Sequence, residues 1–468
     1  MTAPGLALVT GATGYIGGLL TPALLERGWR VRVLSRNAGR ARSLPWVDDV
    51  EVVEGDADSP DDVRRAMEGV DVAYFLLHSM DGTGDFVERD RRLAHTFADA
   101  AAEAQVSRVV YLSGLHPDGV PLSPHLASRV EVGDILLAGA APAAVLQAGV
   151  VLGDGSASFD MLRHLTERLP AVVAPRWLSS RIQPIAADDV VHYLAEAATL
   201  PSDVNRTFDL GGPEVLTYAD MMRRYARATG LGRRFIATVP VLTPSLASHW
   251  VSLVTPVGAG VARPLVGSLV HDAVCGEDDL AELVPAPPGG RTGFDDAVAR
   301  ATRHLDPTRW RRSLRRAGAL VGAAALVGSL VTDPDSRWYR DLDLPRWQPP
   351  PWAFPLVWTA LYTEVAIASA AAMAELSEGE STSYARALAS NMTLNAGWSA
   401  LFFRAHQPWL AALDGAALTA SGLDLARRAR PTGAGKSVGL ASYAAWSAFA
   451  TVLTVAIARR NQAGRRAA

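Results

Sequence analysis

The sequence predicts an α/β Rossmann-type doubly wound parallel sheet, followed by an all-α bundle of five transmembrane helices. Near the start of the 468-residue chain, a glycine-rich turn lies between an apolar segment and a helical pattern, which is typical of the first β–α unit of such a sheet. Apolar strands and helical segments then alternate to about residue 235, as in parallel sheets. Past Leu314, long runs rich in Ala, Leu and Val dominate, as in membrane spans.

The first strand is predicted at 6–9, which is apolar throughout. The turn at 10–17 follows, then a helical pattern that stops at Gly28 and a second strand at 29–34. Glycines in such a turn let backbone N–H groups approach a pyrophosphate, and the helix N-terminus adds positive potential. We therefore predict a dinucleotide site; the alternative is a glycine-rich turn without a ligand. The predicted contacts are Gly11, Thr13, Gly14, Tyr15, Ile16 and Gly17.

The end of the second strand bears on which cofactor is bound. An acidic residue there would hold the ribose 2′-hydroxyl of NAD, but the chain has Ser35 and Arg36, with Arg40 one turn on. Positive charge at this point suits a 2′-phosphate, so we expect NADP (NADPH) to be favoured over NAD. The alternative is that Arg36 is a solvated surface charge.

The remaining alternation completes the sheet. Further strands are predicted at 50–53, 71–77, 108–112 and 144–151, with helices at 62–68, at 86–104 and from Pro124 onward. Asp56 and Ala57 follow the third strand, where Asp56 is placed to meet an adenine amino group. The fourth strand ends at Leu77 and passes His78, and the fifth ends at Ser113.

These residues resemble the short-chain dehydrogenase/reductase superfamily, in its extended or atypical NAD(P)-binding branch, and are similar to NmrA-like proteins. The resemblance covers about residues 5–235. It rests on the Thr-Gly-x-x-Gly-x-x-Gly turn, the Gly-Asp after the third strand, Ser113, and the segment from Gln183 to Val190.

The resemblance implies a catalytic Ser followed by Tyr-x-x-x-Lys, in which the Tyr transfers the substrate proton and the Lys lowers its pKa. This chain has Ser113, but His125 and Arg129 stand where Tyr and Lys are expected. An imidazole can transfer protons near neutral pH, and a guanidinium can hold ribose or phosphate. Two interpretations stay open: a reductase with His in place of Tyr, or a domain that binds NADPH without turnover.

The middle of the chain predicts a substrate lobe. Amphipathic helices are expected at 158–169 and 218–230, and Trp177, Arg181 and Gln183 are candidates to line the pocket. Residues 239–270 are apolar but broken by prolines, which predicts irregular helices. The expected domains are 1–235 (NAD(P)-binding domain with substrate lobe), 236–313 (lobe closure and connector) and 314–461 (transmembrane domain).

Five spans are predicted in the second part of the chain, at 317–331, 354–376, 384–403, 409–425 and 438–458. Arginines clustered at 309–316 precede the first span, which predicts a cytoplasmic N-terminal domain in a multi-pass protein of the cell membrane. Five spans then place the C-terminus outside, although the arginines at 459–466 favour the inside. We expect no cleavable signal peptide.

Composition excludes several classes of protein. A net charge of −3 gives no bulk attraction to nucleic acid. The single cysteine, Cys275, cannot form an internal disulfide or a Cys-based zinc site, and we expect no bound metal.

The residues from Trp338 to Tyr362, dense in Trp and Pro, resemble the TspO/MBR family, the tryptophan-rich sensory proteins. The match continues over about residues 314–461. The resemblance implies a five-helix membrane protein, often a homodimer, that binds porphyrins or other flat apolar ligands such as sterols. It places the ligand among Trp347, Trp358, Tyr362, Asn395, Trp398, Asp414 and Trp446. The alternative is that these aromatics form interfacial belts and helix contacts.

Three residues depart from that family pattern. Ser442 stands where a proline is common, Thr454 replaces the usual Asn, and Glu364 is an unusual carboxylate within a span. A carboxylate at such a place either faces the bundle interior or reaches outward.

The leading hypothesis is a membrane-anchored, NADPH-dependent oxidoreductase whose bundle presents or senses a planar hydrophobic ligand. A second is an NADPH sensor without turnover that biases ligand binding by the bundle. A third is a transporter with a regulatory soluble half.

Overall fold

The structure, a computed structural model, describes residues 5–77, 86–117, 119–239 and 265–466. It divides into two compact units, Met1–Asp306 and Pro307–Ala468, so the predicted connector is shared between them. His78 and most of the proline-broken segment lie outside the described residues, as do the side chains of Arg40 and Trp177.

A seven-stranded parallel sheet forms the centre of the first unit, as predicted. Its order, β11-β6-β5-β4-β1-β2-β3, reverses direction between β1 and β4, which is the switch point of a doubly wound fold. β1 and β4 are fully buried, in keeping with their apolar sequences. The strands are β1 (Leu6–Thr10), β2 (Arg30–Ser35), β3 (Glu51–Glu54), β4 (Val72–Phe75), β5 (Arg108–Gly114), β6 (Ala143–Ala148), β7 (Val151–Leu152), β8 (Ala171–Pro175), β9 (Arg181–Ile182), β10 (Ile185–Ala186), β11 (Arg206–Leu210), β12 (Leu216–Thr217) and β13 (Phe235–Val239).

Helices cover both faces of this sheet. The helices of the first unit are α1 (Tyr15–Glu26), α2 (Ala38–Ala41), α3 (Pro60–Met67), α4 (Phe86–Glu103), α5 (Pro124–Ala138), α6 (Ala157–Arg168), α7 (Ala187–Glu196), α8 (Tyr218–Ala228), α9 (Leu280–Leu283) and α10 (Phe294–Ala301). α1 and α7 pack on one face, and α3, α4 and α5 on the other, each with its own apolar core. The predicted strand at 144–151 is broken, because β6 ends at Ala148 and β7 pairs separately with β10.

The substrate lobe is a third core, built by α6, α8 and α10. Short strand pairs connect it to the sheet: β7 with β10, β9 with β12, and β8 with β13. The residues after the proline-broken segment pack here as well, since Val266 and Leu269 are buried in the same core. The lobe therefore lies beside the carboxyl ends of the central strands.

The second unit is helical, as predicted. Its helices are α11 (Arg309–Val331), α12 (Arg337–Arg340), α13 (Ala353–Glu375), α14 (Glu378–Ser399), α15 (Pro408–Ala429) and α16 (Ala434–Arg466). The third predicted span leaves the α-helical path at Ser399 and continues as a π-helical turn, Ala400–Arg404. Arg309 donates to the Leu376 carbonyl, and Lys436 pairs with Glu375 at 2.6 Å, so these ends of α11, α13 and α16 meet.

Three helices in the described part of the chain are long and apolar enough to cross a bilayer: Arg309–Val331, Ala353–Glu375 and Ala434–Gln462. α14 and α15 are more polar: α14 carries Arg386, Asn391 and Asn395 among several Ser and Thr residues, and α15 carries Asp414 and Asp424. The five-helix arrangement is present, whereas the count of five spans stays a prediction.

Candidate functional site

The glycine turn after β1 is a cradle that side chains would fill. Gly11 has a φ of +74°, and a Cβ on it would lie 2.7 Å from the Leu76 carbonyl oxygen. Gly17 is buried, and a Cβ there would collide with the Gly11 carbonyl. Gly14 N donates to the Gly11 carbonyl at 2.9 Å, which closes the turn at the start of α1. The residues present thus fit a pyrophosphate bound against backbone N–H groups.

A cavity of about 450 Å³ extends from this cradle across the carboxyl ends of the strands. It brings the glycine turn together with Ser113, His125 and Arg129, which the sequence analysis named from separate segments. Its other end lies in the substrate lobe and is mostly apolar. The lining there includes Val150, Ser158, Met161, Tyr218, Leu265, Ser268, Leu269 and Ala273.

The Nε of Arg129 is buried at this cavity without a hydrogen-bond partner in the described part of the chain. The Ser113 hydroxyl oxygen is also buried here, with the Tyr111 phenol as its polar neighbour. A buried polar group left unsatisfied costs about 1–3 kcal/mol, so such groups normally meet a ligand or water. The pair is placed to receive a polar group inside an otherwise apolar space.

His125 lies in the first turn of α5, after the Ser123 hydroxyl that caps Leu126 N at 3.3 Å. Burial, and then the nearby Arg129 guanidinium, lower the pKa of His125 to about 4. The sequence argument took this imidazole as a proton carrier near neutral pH, and a catalytic role of His125 stays a prediction. At pH 7 the ring is neutral, so it has no imidazolium proton to give.

Two phenols line the cavity, those of Tyr15 and Tyr218. Burial, with a smaller effect of Asp188, raises the pKa of Tyr15. Burial alone raises the pKa of Tyr218, which is fully enclosed. A raised pKa makes both phenols weaker proton donors.

The residues predicted for the adenosine half lie away from this cavity. Arg36 is exposed at the end of β2 and has no ion pair among the described residues. The Ser35 hydroxyl lies 3.4 Å from Asn37 N, and one Asp56 oxygen accepts from Asp58 N at 3.1 Å. Thr13 and Ala57 are likewise outside the cavity lining, whereas Leu77 is part of it.

Two of the residues expected to line the pocket instead make contacts that connect neighbouring loops. Arg181 is exposed and pairs with Asp272 at 2.8 Å. Gln183 donates to the Gly212 carbonyl at 2.8 Å and accepts from Cys275 N at 3.1 Å. The sequence analysis missed the apolar lining from α6 and from residues 265–273, because apolar side chains give no signal that separates a pocket wall from a core.

In the second unit, a buried hydrogen-bond chain joins four helices. Tyr362 donates to the Asn395 carbonyl oxygen at 2.6 Å, and the Asn395 amide lies 3.4 Å from the Tyr443 hydroxyl. Tyr443 donates to Asn391 at 2.9 Å, and Asn391 donates to the Leu418 carbonyl at 3.4 Å. Tyr362 and Asn395, predicted to bind ligand, therefore use their polar groups to hold helices together.

Other predicted ligand residues keep unsatisfied atoms. The indole N–H groups of Trp398 and Trp446 and one oxygen of Asp414 are buried without a partner in the described residues. Asp414 and Gly415 on α15 lie against Gly397 and Trp398 on α14, since a Cβ on Gly415 would be 3.5 Å from the Trp398 ring.

Aromatic rings surround these atoms. Trp398 stacks on Phe402 with centroids 5.4 Å apart, and Trp446 lies 6.4 Å from Phe354. Trp358 packs against Tyr362 at 5.4 Å. Trp347 contacts Phe449 at 5.9 Å while half of it remains exposed. The described residues contain no cluster of three or more His, Cys, Asp or Glu that could hold a metal.

Comparison with known proteins agrees with this division. Residues 11–149 match the NAD(P)H-binding family model, and residues 317–460 match the TspO/MBR family model. A ceramide reductase of Caulobacter vibrioides is 31% identical over 314 residues, which is 63% of this chain and 94% of that protein. The tryptophan-rich protein TspO of Chlorobaculum tepidum is 32% identical over 145 residues, 30% of this chain and 89% of that protein.

A solved structure agrees at the level of the fold. MoeE5 in complex with UDP-glucuronic acid and NAD has a TM-score of 0.50 and 18% identity, covering 64% of this chain and 98% of that one. The second unit is much shorter than the 314 residues aligned with the ceramide reductase, so that alignment also covers part of the first unit.

The chain is a fusion of an NAD(P)-binding domain of the oxidoreductase type with a membrane-protein domain. It belongs to the same family as the Caulobacter ceramide reductase and, through its second unit, to the TspO/MBR family.

Gly11→Ala should weaken NADPH binding by about tenfold or more, because the new methyl would meet the Leu76 carbonyl in a left-handed conformation. Gly69→Ala is the matched control. Gly69 has a φ of +69° but open space around it, so it tests backbone strain alone. Titration of NADPH fluorescence on the full-length protein in detergent measures both; equal affinities for the two variants would contradict the cradle.

The low pKa of His125 predicts a specific pH dependence of stability. In an unfolded chain the ring protonates below about pH 6.5, whereas in the fold it does so only near pH 4. Stability contributed by the neutral ring is complete above pH 6.5 and is lost as pH falls towards 4. We expect the Tm difference between wild type and His125→Gln to shift over this window. A constant difference for His125→Gln would refute the pKa assignment.

Proposed function

We propose that the protein is a membrane-anchored reductase that uses NADPH to reduce a hydrophobic carbonyl compound. The observation that carries this proposal is the cavity that joins the glycine cradle, the side chains of Ser113 and Arg129, and the apolar lobe. Arg36, exposed at the end of β2 where an acidic residue would select NAD, supports NADPH.

Three side chains have separate roles in the proposed reduction. When bound, the cofactor supplies a hydride to the carbonyl carbon of the substrate. The Ser113 hydroxyl donates to the carbonyl oxygen, and the Arg129 guanidinium stabilises the negative charge that develops there. Neutral His125 orients the substrate or a water molecule, and the proton that completes the alcohol comes from solvent.

The substrate class follows from the lining. Met161, Leu265 and Leu269 offer an apolar wall, with Ser158 and Ser268 as the hydroxyls among them. A long-chain lipid with a small polar head suits such a wall, and the relation to a ceramide reductase supports the same class. The second unit would keep the enzyme at the membrane where such substrates dissolve. We propose that the arginines at 309–316 hold the first unit on the cytoplasmic side of five spans.

The test is turnover by the full-length protein in detergent, with ceramide and NADP in one direction and the corresponding ketone with NADPH in the other. We expect Ser113→Ala and Arg129→Met to lower kcat by about 10- to 1000-fold while NADPH still binds, since each removes charge stabilisation in the transition state. Ser158→Ala is the control for a cavity hydroxyl outside this role.

NADPH binding without turnover on either substrate would instead favour the alternative function, an NADPH sensor. In that case Gly11→Ala should change the ligand affinity of the second unit.

We further propose that the second unit binds a porphyrin-like or other planar apolar ligand. The support is the set of buried, unsatisfied indole and carboxylate atoms of Trp398, Trp446 and Asp414. Aromatic faces supply flat contact area, and their polar edges fix orientation.

Trp446→Phe should weaken binding of protoporphyrin IX, because it removes the indole N–H but keeps a ring. Trp352→Phe is the control, since Trp352 is 70% exposed. Quenching of tryptophan fluorescence, recorded with and without NADPH, gives both affinities. If Trp446→Phe bound protoporphyrin IX with unchanged affinity, the Trp446 indole N–H would have no part in the proposed site.

A further inference from the structure

Exposed arginines are concentrated in the first two turns of α11. We name them the α11 arginine cluster, which consists of Arg311, Arg312, Arg315 and Arg316. They lie on the outward half of the helix, because its inward half is the buried stripe that begins at Trp310 and packs in the core of the second unit. The orientation of the cluster is therefore set by the packing of the helix itself.

The charge of this cluster is not balanced within its own helix. α11 contains no acidic residue. Arg311, Arg315 and Arg316 form no ion pair with a described residue, and the Arg315 Nε donates only to the Arg311 carbonyl, at 3.4 Å. Like charges four residues apart on a helix repel each other, so an anion placed among them would stabilise this end of α11.

Other cations at the same end of the bundle have acidic partners. Lys436 pairs with Glu375 at 2.6 Å. Arg427 and Arg428 both pair with Asp424, at 2.7 and 2.5 Å. Their charge is thus neutralised inside the chain.

The opposite end of the bundle mixes the two signs of charge. Arg460 pairs with Asp343 at 3.1 Å, and Arg337 lies 3.9 Å from Asp341. Positive charge in the second unit is therefore most concentrated at the α11 arginine cluster.

In a bilayer this cluster lies at the depth of the lipid headgroups. The apolar part of α11, residues 317–331, is about 22 Å long at about 1.5 Å per residue. The hydrocarbon layer is about 30 Å thick, so Arg315 and Arg316 lie at its edge, and Arg311 and Arg312 lie about 6 Å further out. Each headgroup layer is itself about 5–8 Å thick, which matches the extent of the cluster.

The surface next to the cluster suits an acyl chain. Gly318 and Gly322 follow on the outward side of α11, and a Cβ on either would meet no atom within 4 Å. Beyond them, Leu326 and Leu330 are 60% and 66% exposed. A chain lying on this face would cross open, small-residue surface first and aliphatic side chains after it.

We propose that the α11 arginine cluster binds the headgroup phosphate of an anionic phospholipid, whose acyl chains lie along the outward face of α11. Guanidinium groups match phosphate oxygens in geometry as well as in charge. Basic residues next to a membrane span are attracted to anionic lipid headgroups. A soluble phosphate compound would meet the same charges but would gain nothing from the apolar face, which is why the structure favours a lipid.

The test uses full-length protein in nanodiscs that contain equal amounts of phosphatidylglycerol and phosphatidylcholine with the same acyl chains. After transfer to a mild detergent, mass spectrometry counts the molecules of each lipid retained per chain. We expect the wild type to retain at least about fivefold more phosphatidylglycerol than phosphatidylcholine. Arg311→Gln combined with Arg315→Gln should lower this ratio at least about threefold, because two of the phosphate-binding groups are lost.

Arg386→Gln combined with Arg430→Gln is the matched control. Both arginines are exposed at the same end of the bundle but outside the cluster, so the control removes the same amount of charge. It should leave the ratio of retained lipids unchanged. An equal fall for the two double variants would assign the effect to overall charge and overturn the proposal.

Two further results on the wild type would also overturn the proposal. One is equal retention of the two lipids. The other is loss of phosphatidylglycerol when glycerol 3-phosphate is added at millimolar concentration during the transfer, since that would make the cluster a site for soluble phosphates. These two measurements decide by themselves if the Arg311→Gln, Arg315→Gln protein fails to fold, and none of the outcomes depends on reductase activity.

Discussion

Space at the carboxyl end of β1 is the constraint on which ligand binding by the first unit depends. A Cβ on Gly11 would lie 2.7 Å from the Leu76 carbonyl oxygen, and a Cβ on Gly17 would meet the backbone of the same turn. These approaches set the start of α1 directly above the switch point between β1 and β4. Any cofactor held there faces the ends of β5 and β6, so Ser113 and the helix after it become its neighbours.

Buried polar side chains of the second unit fall into two groups, those that hydrogen-bond to each other and those that have no partner among the described residues. Tyr362, Asn395 and Tyr443 are aromatic or amide residues in the long helices, and their hydrogen bonds to one another hold the helices together. Trp398 and Asp414 lie among similar aromatic neighbours but leave their polar atoms open. In a low-dielectric interior the first group stabilises the fold, and the second is the basis of the proposed ligand site.

The sequence predicted structure best where a residue type is required by a single physical constraint, such as glycine in a tight turn or apolar residues in a buried strand. The glycine turn, the alternating strands and helices, and the five long helices of the second unit were all predictable, because glycine spacing and apolar runs follow from backbone and solvent constraints. The break between β6 and β7 was not, since it depends on pairing with a distant β10. Nor was the role of Gln183, whose partners come from residues 212 and 275. The ionisation of His125 depends on burial, which a single sequence does not report.

Arg129 illustrates how one electrostatic effect has opposite consequences for two acids. In the pattern that this domain resembles, a cation beside a tyrosine lowers the pKa of the phenol and brings its proton within reach of the reaction. Here burial, and after it the neighbouring cation, lowers the pKa of the His125 imidazole to about 4, which leaves the ring neutral at pH 7. Replacing Tyr and Lys by His and Arg therefore does not conserve the proton donor. It leaves a neutral ring next to a permanent positive charge, an arrangement that favours stabilising a negative oxygen over donating a proton to it.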